Sequence, residues 1–253
     1  DGNFRPFGEL LRLDGYRVAP IRKPFAAADH SKGNILVIIN ALASRNVGNW
    51  SLPTPSAFSS EEVAEIRKWV WSGGALLLVA DHMPFPGATD ALATEFGVAF
   101  MNGFAVDTAQ WDPLIFRRTD GTLAKHPITE GQEPTEKLDS IATFWGQAFR
   151  TSDSRVSELL VFGRGVVSLN PDTAWRFTDH TPAVAVEGWM QGAAMGFGNG
   201  RLVILGEAGM LSAQLTGPNR VPMGMNTPIA RQNLQFVLNI MHWLSGVLPQ
   251  QNE

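Results

Sequence analysis

One stretch near the N-terminus, residues 34–80, constrains the fold more than any other part of the sequence. Two continuous apolar runs, NILVIINALA and ALLLVA, flank the segment SSEEVAEIRKWVWSGG. In that segment Ser59 or Ser60 is suited to cap a helix, acidic residues occupy the first turn, and Gly73-Gly74 ends it. Apolar runs of this length are typical of strands buried on both faces of a parallel sheet. The stretch therefore predicts a right-handed, parallel strand–helix–strand unit.

Patterns before and after this unit extend the α/β prediction. The segment FRPFGELLRLDGYRV predicts a short helix over 6–13 and, after a turn, a brief strand over 16–18. The segment GATDALATEFG predicts another helix, which Gly97 ends. From about 106 to 188, short extended runs alternate with polar turns. This alternation indicates an antiparallel extension of the sheet or a β-rich insertion.

The C-terminal part carries two further patterns. The run GAAMGFGNGRLVILGEAG predicts a β-hairpin with Asn199-Gly200 as a type I′ turn. The run TPIARQNLQFVLNIMHWLSG predicts a final helix with Pro228 near its start and Gly246 at its end. Because no repeat and no break in composition separates the parts, we expect a single domain over residues 1–253, with the β-rich insertion or extension at about 106–188.

Composition limits the classes of function. The 253 residues include 20 Lys and Arg against 24 Asp and Glu, a formal net charge of -4 without a basic run. We therefore expect no nucleic-acid partner, since phosphate neutralisation needs clustered basic residues. The absence of Cys excludes disulfides, thiolate metal sites and a cysteine nucleophile. Any metal would be held by His, carboxylate or amide oxygen.

Hydropathy and the first residue bear on the environment of the chain. No apolar stretch approaches the ~20 residues that a membrane-spanning helix needs, so we expect a soluble protein without a membrane partner. The sequence begins at Asp1 without Met or a signal-like segment. This start is compatible with an exported, mature form whose signal segment is gone, and the compartment carries no firmer prediction.

Polar side chains end the apolar runs. Asp81-His82 follows ALLLVA, Glu207 follows the strand-like RLVIL and a glycine, and Asn40 lies near the end of the first run. The carboxyl ends of parallel strands form the crevice in which open α/β sheets bind their ligands. Asp81, His82 and Glu207 are thus predicted to converge there, where they would bind a divalent cation or divide acid and base roles.

A structural alternative stays open for each of these residues. Asp81 is also suited to cap the turn that follows it, with His82 hydrogen-bonded to the backbone. Glu207 is also suited to cap a short helix that begins near Ala208. Sequence alone does not choose between these roles and a working site.

Other polar residues are assigned to substrate binding by predicted position at the same edge. They are Asn40, Asp107, His180, Gln214 and Asn226. His30 and His126 are interpreted as residues of surface turns, and His242 as a packing histidine of the last helix. Several tryptophans of the loop-rich middle would stack on sugars or aryl groups if exposed, although most large aromatics are buried. They are Trp111, Trp145, Trp175 and Trp189.

The segments FSSEEVAEIRKWVWSGGALLLVADH, GRLVILGEAGM and NLQFVLNIMHWLSG resemble the GIFT domains, amidotransferase-like domains of the gliding-motility and intraflagellar-transport group. The resemblance covers roughly residues 4–246. It implies a flavodoxin-like, class I glutamine amidotransferase-like three-layer sandwich, with a mainly parallel sheet and an antiparallel extension. It also implies binding of sugars or other small ligands, as has been suggested for such domains.

The resemblance also excludes one activity. In true amidotransferases a cysteine elbow follows the corresponding strand, whereas this chain has Asp81-His82 there and no Cys. Glutaminase chemistry is thereby excluded. Related domains also begin with a strand carrying acidic and His residues ahead of the FRPFGELL helix, and this sequence opens directly on that helix.

Two main hypotheses about function follow. The first is a metal-assisted hydrolase of a small carboxylic or phosphoric ester, in which Asp81, His82 and Glu207 hold zinc or manganese and a metal-bound water attacks. Asn40 or His180 would orient the substrate, and a metal-free variant would use Asp81 as nucleophile or base. The second is a non-catalytic domain that binds a small molecule or carbohydrate in the same crevice. A scaffold module of a larger assembly is a third possibility, and the oligomeric state carries no prediction.

Overall fold

The structure is a computed structural model that describes residues 3–25, 33–111 and 113–250. In chain order its helices and strands are α1 Arg5–Leu13, β1 Ile35–Ile39, α2 Ser60–Trp71, β2 Ala75–Val79, α3 Phe85–Thr94, β3 Val98–Phe100, β4 Phe104–Asp107, β5 Leu114–Arg117, α4 Pro127–Glu130, β6 Ser140–Thr143, β7 Phe149–Thr151, β8 Ser157–Val161, β9 Val166–Leu169, β10 Ala183–Ala185, β11 Met190–Phe197, β12 Gly200–Leu205, β13 Ala213–Thr216, β14 Val221–Gly224 and α5 Asn233–Ser245. Helices and strands alternate from α1 to β3, and a series of strands interrupted by the short helix α4 then leads to the final helix α5.

The main sheet combines parallel and antiparallel strands. Its order is β1-β2-β12-β11-β7-β3, and β8 also pairs with β11. The pairs β1/β2 and β2/β12 are parallel, with Leu77 opposite Val37 on one side and Val203 on the other. Strand β11 is antiparallel to β12, β7 and β8, so β1, β2, β12, β7 and β8 all run in one direction. The prediction of a mixed α/β sheet with an antiparallel extension is confirmed.

Helices cover both faces of this sheet. On one face α1 and α5 pack on alternate residues of β2 and β12, such as Leu77 and Val203. On the other face α2 and α3 pack on the residues between them, such as Leu76 and Leu202. Strand β2 is buried along its whole length. This two-sided burial explains why its sequence is continuously apolar instead of alternating.

The strand–helix–strand unit is confirmed in detail. Ser59 caps α2, because its Oγ accepts the N–H of Glu62 at 3.2 Å and Glu62 Oε2 accepts the N–H of Ser59 at 3.1 Å. The helix ends before Gly73, whose φ of 119° suits glycine. These local signals place the start of β2, and β2 in turn carries its C-terminal residues to the edge where the strands end.

Residues 106–188 contain most of the smaller strands. Strands β4, β9 and β10 form an antiparallel sheet, and β5 pairs with β6. Whether this region is an insertion in a single domain stays a prediction. In the described part of the chain, no helix is both long enough and apolar enough to span a membrane.

Two predicted elements differ from the structure, and a third, the hairpin, differs only in its loop. Residues 16–18 form no strand, because the Tyr16 N–H closes a turn onto the Leu11 carbonyl and its hydroxyl bonds to Ser245. The last helix begins at Asn233, and Pro228 opens a separate short 3₁₀ turn instead.

The hairpin is confirmed, but its loop is Gly198-Asn199, since Phe197 pairs with Gly200. Gly198 has a φ of 60° at the first central position, which is the type II′ arrangement instead of type I′. A side chain at Gly198 would also collide with the Trp71 carbonyl oxygen. The close approach of α2 to this turn therefore decides which residues form the loop.

Candidate functional site

The ends of β1 and β2 are tied together by one side chain. Asn40 follows β1, and its backbone N–H donates to the carbonyl of Val79 at 2.9 Å. Its side-chain Oδ1 accepts the backbone N–H of Asp81, also at 2.9 Å. The φ of Asn40 is 52°, in the left-handed region that Asn tolerates better than most residues. The ends of β1 and β2 are therefore in hydrogen-bond contact through Asn40.

The carboxylate of Asp81 adds the end of β12 to this group. Its Oδ1 accepts the backbone N–H of His82 at 2.8 Å, and the carboxylate also receives the N–H of Ala208, which follows β12. Desolvation raises the pKa of Asp81 above its usual range, and the nearby His82 and these hydrogen bonds lower it in part. Asp81 thus lies where β1, β2 and β12 end, in surroundings that disfavour its charge.

The ring of His82 turns away from that carboxylate. Its Nδ1 lies 2.7 Å from the carbonyl oxygen of Met83 and must donate to it, because a carbonyl oxygen only accepts. The neutral ring therefore carries its hydrogen on Nδ1 and a lone pair on Nε2. Asp81 and His82 thus bond to the backbone, as expected if Asp81 caps the turn and His82 bonds to the main chain. Of the two ring nitrogens of His82, Nε2 is the one that a ligand could contact.

Aromatic side chains surround the His82 ring, which is only 8% exposed. The Phe104 ring stacks on it, with centroids 4.5 Å apart and planes 13° apart. Trp175 approaches edge-on at 4.7 Å, and Trp50 and Phe85 lie at 5.8 and 5.9 Å. His82 thus occupies an apolar, aromatic environment at the end of a core strand.

A row of tryptophans continues from this group to the surface. Trp175 contacts Trp145 with centroids 5.1 Å apart, and Trp145 contacts Trp111 at 6.1 Å. Trp111 is 50% exposed and Trp175 is 45% exposed, so large indole surfaces face solvent. We call Trp111, Trp145 and Trp175 the aromatic platform. Loops from separate parts of the chain supply its members, after β4, β6 and β9.

The backbone of the platform is unusual. Trp111, Trp145 and Trp175 have φ values of 65°, 69° and 65°, in the left-handed region that costs a bulky residue roughly 1–2 kcal/mol. In residues 3–25, 33–111 and 113–250, the other non-glycine residues with positive φ are Asn40 and Arg220. Strained backbone of this kind clusters at functional sites. Among the described residues, four of the five such positions, all except Arg220, lie at or next to the carboxyl ends of the parallel strands.

Neighbouring groups hold these conformations. Gln191 Nε2 donates to the Trp145 carbonyl at 3.0 Å, and the Trp111 N–H donates to the Asp107 carbonyl at 2.7 Å. Gln191 is itself buried within β11. The platform is therefore attached to the sheet by hydrogen bonds, not only by ring packing.

Glu207 is completely buried, and both of its carboxylate oxygens accept backbone N–H groups. Oε1 accepts the N–H of Gly209, and Oε2 accepts that of Met210 at 2.8 Å. These bonds cap the short 3₁₀ turn Gly209–Leu211, as the structural alternative predicts. Among the residues with described positions, no group of three or more His, Asp or Glu is arranged to hold a metal ion. The zinc or manganese site with Asp81, His82 and Glu207 stays a prediction.

The remaining predicted substrate residues have local partners. Asp107 Oδ1 accepts the N–H of Ala109 at 2.7 Å, next to the platform residue Trp111. Asn226 Nδ2 donates to the Gln214 carbonyl at 3.0 Å within the β13–β14 hairpin region. His180 is exposed in a turn. In the described residues, no hydrogen bond or ring contact links His180, Gln214 or Asn226 to Asp81 or His82.

The predictions for the other histidines are wrong for His126 and confirmed for His242. His126 is not a surface-turn residue: it is 2% exposed and caps α4, because its Nδ1 accepts the N–H of Ile128 at 3.1 Å. Burial lowers the pKa of His126 to about 4. His242 packs in α5 and bonds to Asp14 Oδ2 at 2.9 Å. His30 lies outside the described residues.

Sequence reasoning missed Trp50, Phe85 and Phe104. Phe104 lies in β4 and Phe85 starts α3, so each reads as an ordinary core residue. The signal that singles them out is their contact with His82, which depends on how distant loops fold back. The prolines after His82 mark a sharp turn there, but they do not indicate which rings line it.

Comparisons with known proteins support the fold. No protein-family model and no curated protein sequence matches the chain. The mmIFT52 N-terminal domain matches with a TM-score of 0.62 and 12% identity, over 96% of this chain and 91% of that domain. A cytoplasmic protein from Salmonella typhimurium LT2 matches with a TM-score of 0.51 and 14% identity, over 96% of this chain and 88% of that protein.

A second cytoplasmic protein from Salmonella typhimurium also has a TM-score of 0.51, with 11% identity over 96% of this chain and 87% of its own. Identities this low show the fold alone. The predicted resemblance to domains of the intraflagellar-transport group is confirmed at that level: this chain folds like the mmIFT52 N-terminal domain.

Proposed function

We propose that this chain binds a small ligand of the carbohydrate class on the aromatic platform, beside Asp81 and His82. The observation that carries the proposal is the left-handed backbone of Trp111, Trp145 and Trp175. Trp145 contacts the other two rings, and Trp111 and Trp175 expose indole surface beside the carboxyl ends of the parallel strands. This conformation costs each bulky residue free energy, which the neighbouring hydrogen bonds and ring contacts offset. Presentation of the ring faces to a ligand would give the arrangement a function.

The chemistry of the neighbouring polar groups fits hydroxyl groups. The carboxylate of Asp81 and the Nε2 lone pair of His82 accept hydrogen bonds, and sugar hydroxyls donate them. Sugar rings also carry an apolar face that packs on indole, while most of the specificity of such sites comes from a few polar groups.

Charge argues in the same direction. Within the described residues, the hydrogen bonds and ring contacts of Asp81 and His82 involve no Lys or Arg. An anionic ligand such as a phosphoric ester would meet a carboxylate there without a paired counter-charge. A neutral, hydroxyl-rich ligand avoids that cost.

Intrinsic fluorescence tests the proposal. Titration with a panel of neutral mono- and oligosaccharides is expected to give a saturable change in tryptophan emission for at least one sugar. A charged sugar phosphate of the same ring serves as the matched ligand, and we expect it to bind more weakly. If no neutral sugar gives a saturable change, or if the phosphate binds more tightly, the proposal is wrong.

A second candidate is hydrolysis of a small ester at the same place. It is favoured by the raised pKa of Asp81, a feature common in catalytic carboxyl groups, beside an imidazole with Nε2 available. Asp81 would act as acid or base without a metal. The metal-assisted form additionally requires Glu207 to leave the amides of Gly209 and Met210.

Turnover separates these forms. A panel of chromogenic carboxylic esters, phosphoric esters and glycosides is assayed with wild type and with Asp81→Asn, each with and without EDTA. If Asp81→Asn loses turnover and EDTA does not affect the wild type, the metal-free hydrolase is supported. If the wild type loses turnover in EDTA and regains it when zinc or manganese is added, the metal-assisted form is supported. No turnover in any assay leaves binding as the function.

A further inference from the structure

Two members of the aromatic platform face solvent as separate surfaces. Trp111 is 50% exposed and Trp175 is 45% exposed, while Trp145 is partly buried. Trp145 contacts each of the other two rings, and no ring contact joins Trp111 to Trp175 among the residues that the structure describes. The platform therefore offers two exposed indole faces, with a third ring as the spacer between them.

The spacing of the two faces sets the length of ligand that reaches both. The centroid of Trp145 lies 6.1 Å from that of Trp111 and 5.1 Å from that of Trp175. The two outer centroids are therefore at most about 11 Å apart, the sum of these distances. A pyranose ring has about the size of one indole and packs its apolar face on a single aromatic face. Two linked sugar rings are thus the smallest carbohydrate that covers both Trp111 and Trp175.

Separate anchors hold the two faces. In the loop after β4, the N–H of Trp111 donates to the carbonyl of Asp107 at 2.7 Å. In the loop after β9, the N–H of Ala174, next to Trp175, donates to the carbonyl of Trp50 at 2.8 Å. Because these anchors share no residue, loss of the Trp111 side chain is expected to leave the bonds beside Trp175 intact.

Each face also has polar neighbours of its own. The Trp175 ring meets the His82 ring edge-on, with centroids 4.7 Å apart, and Asp81 precedes His82. At the other end, the partly exposed Asp107 forms a β-bridge with Trp111. Carboxylates and imidazole lone pairs accept the hydrogen bonds that sugar hydroxyls donate. Both faces therefore lie beside groups that suit the orientation of a sugar ring.

We propose that the aromatic platform is a two-subsite surface for an oligosaccharide, with one sugar ring on Trp175 and another on Trp111. The first ring lies beside Asp81 and His82, and the second lies beside Asp107. This inference rests on the proposed carbohydrate function. It adds a minimum ligand length of two linked sugar rings and a role for Trp111 that binding of a monosaccharide does not require.

Calorimetric titration with sugars of increasing length tests the inference. The probes are glucose, mannose and galactose, each with its 1,4-linked di-, tri- and tetrasaccharides. In at least one series we expect affinity to rise about three- to tenfold between the monosaccharide and the trisaccharide, which is what packing on one further aromatic face supplies. Because the outer rings are close, affinity for the tetrasaccharide is expected to equal that for the trisaccharide.

A variant at the second face assigns this gain to Trp111. Trp111→Gly removes the indole and suits the φ of 65°, so the variant carries no backbone strain at this position. We expect its affinity for the trisaccharide to fall about three- to tenfold, to the level of the monosaccharide, and its affinity for the monosaccharide to stay unchanged. Trp111→Phe keeps an aromatic face and is expected to retain most of the gain.

The matched control is Trp71→Ala, which removes an indole that is 51% exposed and is expected to change neither affinity. Circular dichroism and urea unfolding show whether each variant is folded. Equal affinities of wild type for mono- and trisaccharide, a further gain at the tetrasaccharide, or an unchanged trisaccharide affinity in Trp111→Gly would each overturn the two subsites and leave carbohydrate binding at Trp175 standing. No saturable binding in any series would overturn the proposed function and this inference together.

Discussion

At the strand ends, Asp81 and His82 use polar atoms to hold the backbone in place. His82 donates its Nδ1–H to the Met83 carbonyl and keeps Nε2 available for a ligand. Asp81 accepts main-chain N–H groups from the ends of β2 and β12. These residues could be predicted from the sequence, because a polar side chain directly after an apolar run marks the end of a buried strand. The sequence did not reveal the left-handed tryptophans, since propensity disfavours that conformation for every bulky residue.

The role of Asn40 is open to a direct test. Asn40→Ala removes the acceptor for the Asp81 N–H and forces alanine into a φ of 52°, so we expect the free energy of unfolding to fall by about 2–3 kcal/mol. Asn40→Gly removes the same acceptor without that strain and is expected to cost about 1 kcal/mol. Urea unfolding measures both. Equal losses would show that the backbone at Asn40 stores no strain.

His126 predicts a pH dependence of stability. Its pKa is about 4 when folded and 6.5 in the reference state, so the unfolded chain binds the extra proton between those values. Stability is therefore lost as pH falls from 6.5 towards 4, by about 3 kcal/mol at most. His126→Asn keeps a capping acceptor without titrating, and its unfolding free energy is expected to fall less over that range. His180→Asn, at an exposed position, serves as the control, and its unfolding free energy should change with pH as that of wild type does. If the unfolding free energy of His126→Asn fell with pH as steeply as that of wild type, the account would be contradicted.

Secondary-structure elements were predictable where their signals are local. The capping box of Ser59 and Glu62 and the glycines after α2 place that helix and β2 correctly. The start of α5 was not predictable, because Asn233 is held there by hydrogen bonds to the backbone of Ala142, 91 positions away. The brief strand over 16–18 was wrong for the same kind of reason, since Tyr16 bonds to Ser245 in α5.

A substitution of Glu207 tests whether its carboxylate caps the turn after β12 or serves as a metal ligand. Glu207→Gln leaves one acceptor for two buried N–H groups and turns an NH₂ towards one of them, so we expect a loss of about 2–3 kcal/mol in unfolding free energy. The measurement is urea unfolding in EDTA, with Glu158→Gln, at an exposed position, as the control. If Glu207→Gln were as stable as wild type under these conditions, the carboxylate would have no capping role and a metal-ligand role would gain support.

The whole molecule brings together parts that are far apart in sequence. Parallel strand order alone predicts that Asn40, Asp81 and the turn after β12 meet, and they do. The platform depends instead on how the loops after β4, β6 and β9 fold over the carboxyl ends of those strands, which no periodicity in the sequence encodes. For that reason Trp175 was a candidate among several tryptophans, and its contact with His82 came only from the structure.

The ratio of sugar affinities in two tryptophan variants tests the central claim most directly. Trp175→Ala removes a platform face beside His82, whereas Trp71→Ala removes an indole of similar exposure, 51%, at the opposite edge of the sheet, where Trp71 accepts the N–H of Asn199. For the sugar that binds wild type most tightly, we predict that Trp175→Ala weakens binding about three- to tenfold and Trp71→Ala leaves it unchanged. Equal affinities in the two variants would contradict the assignment of the site to the aromatic platform.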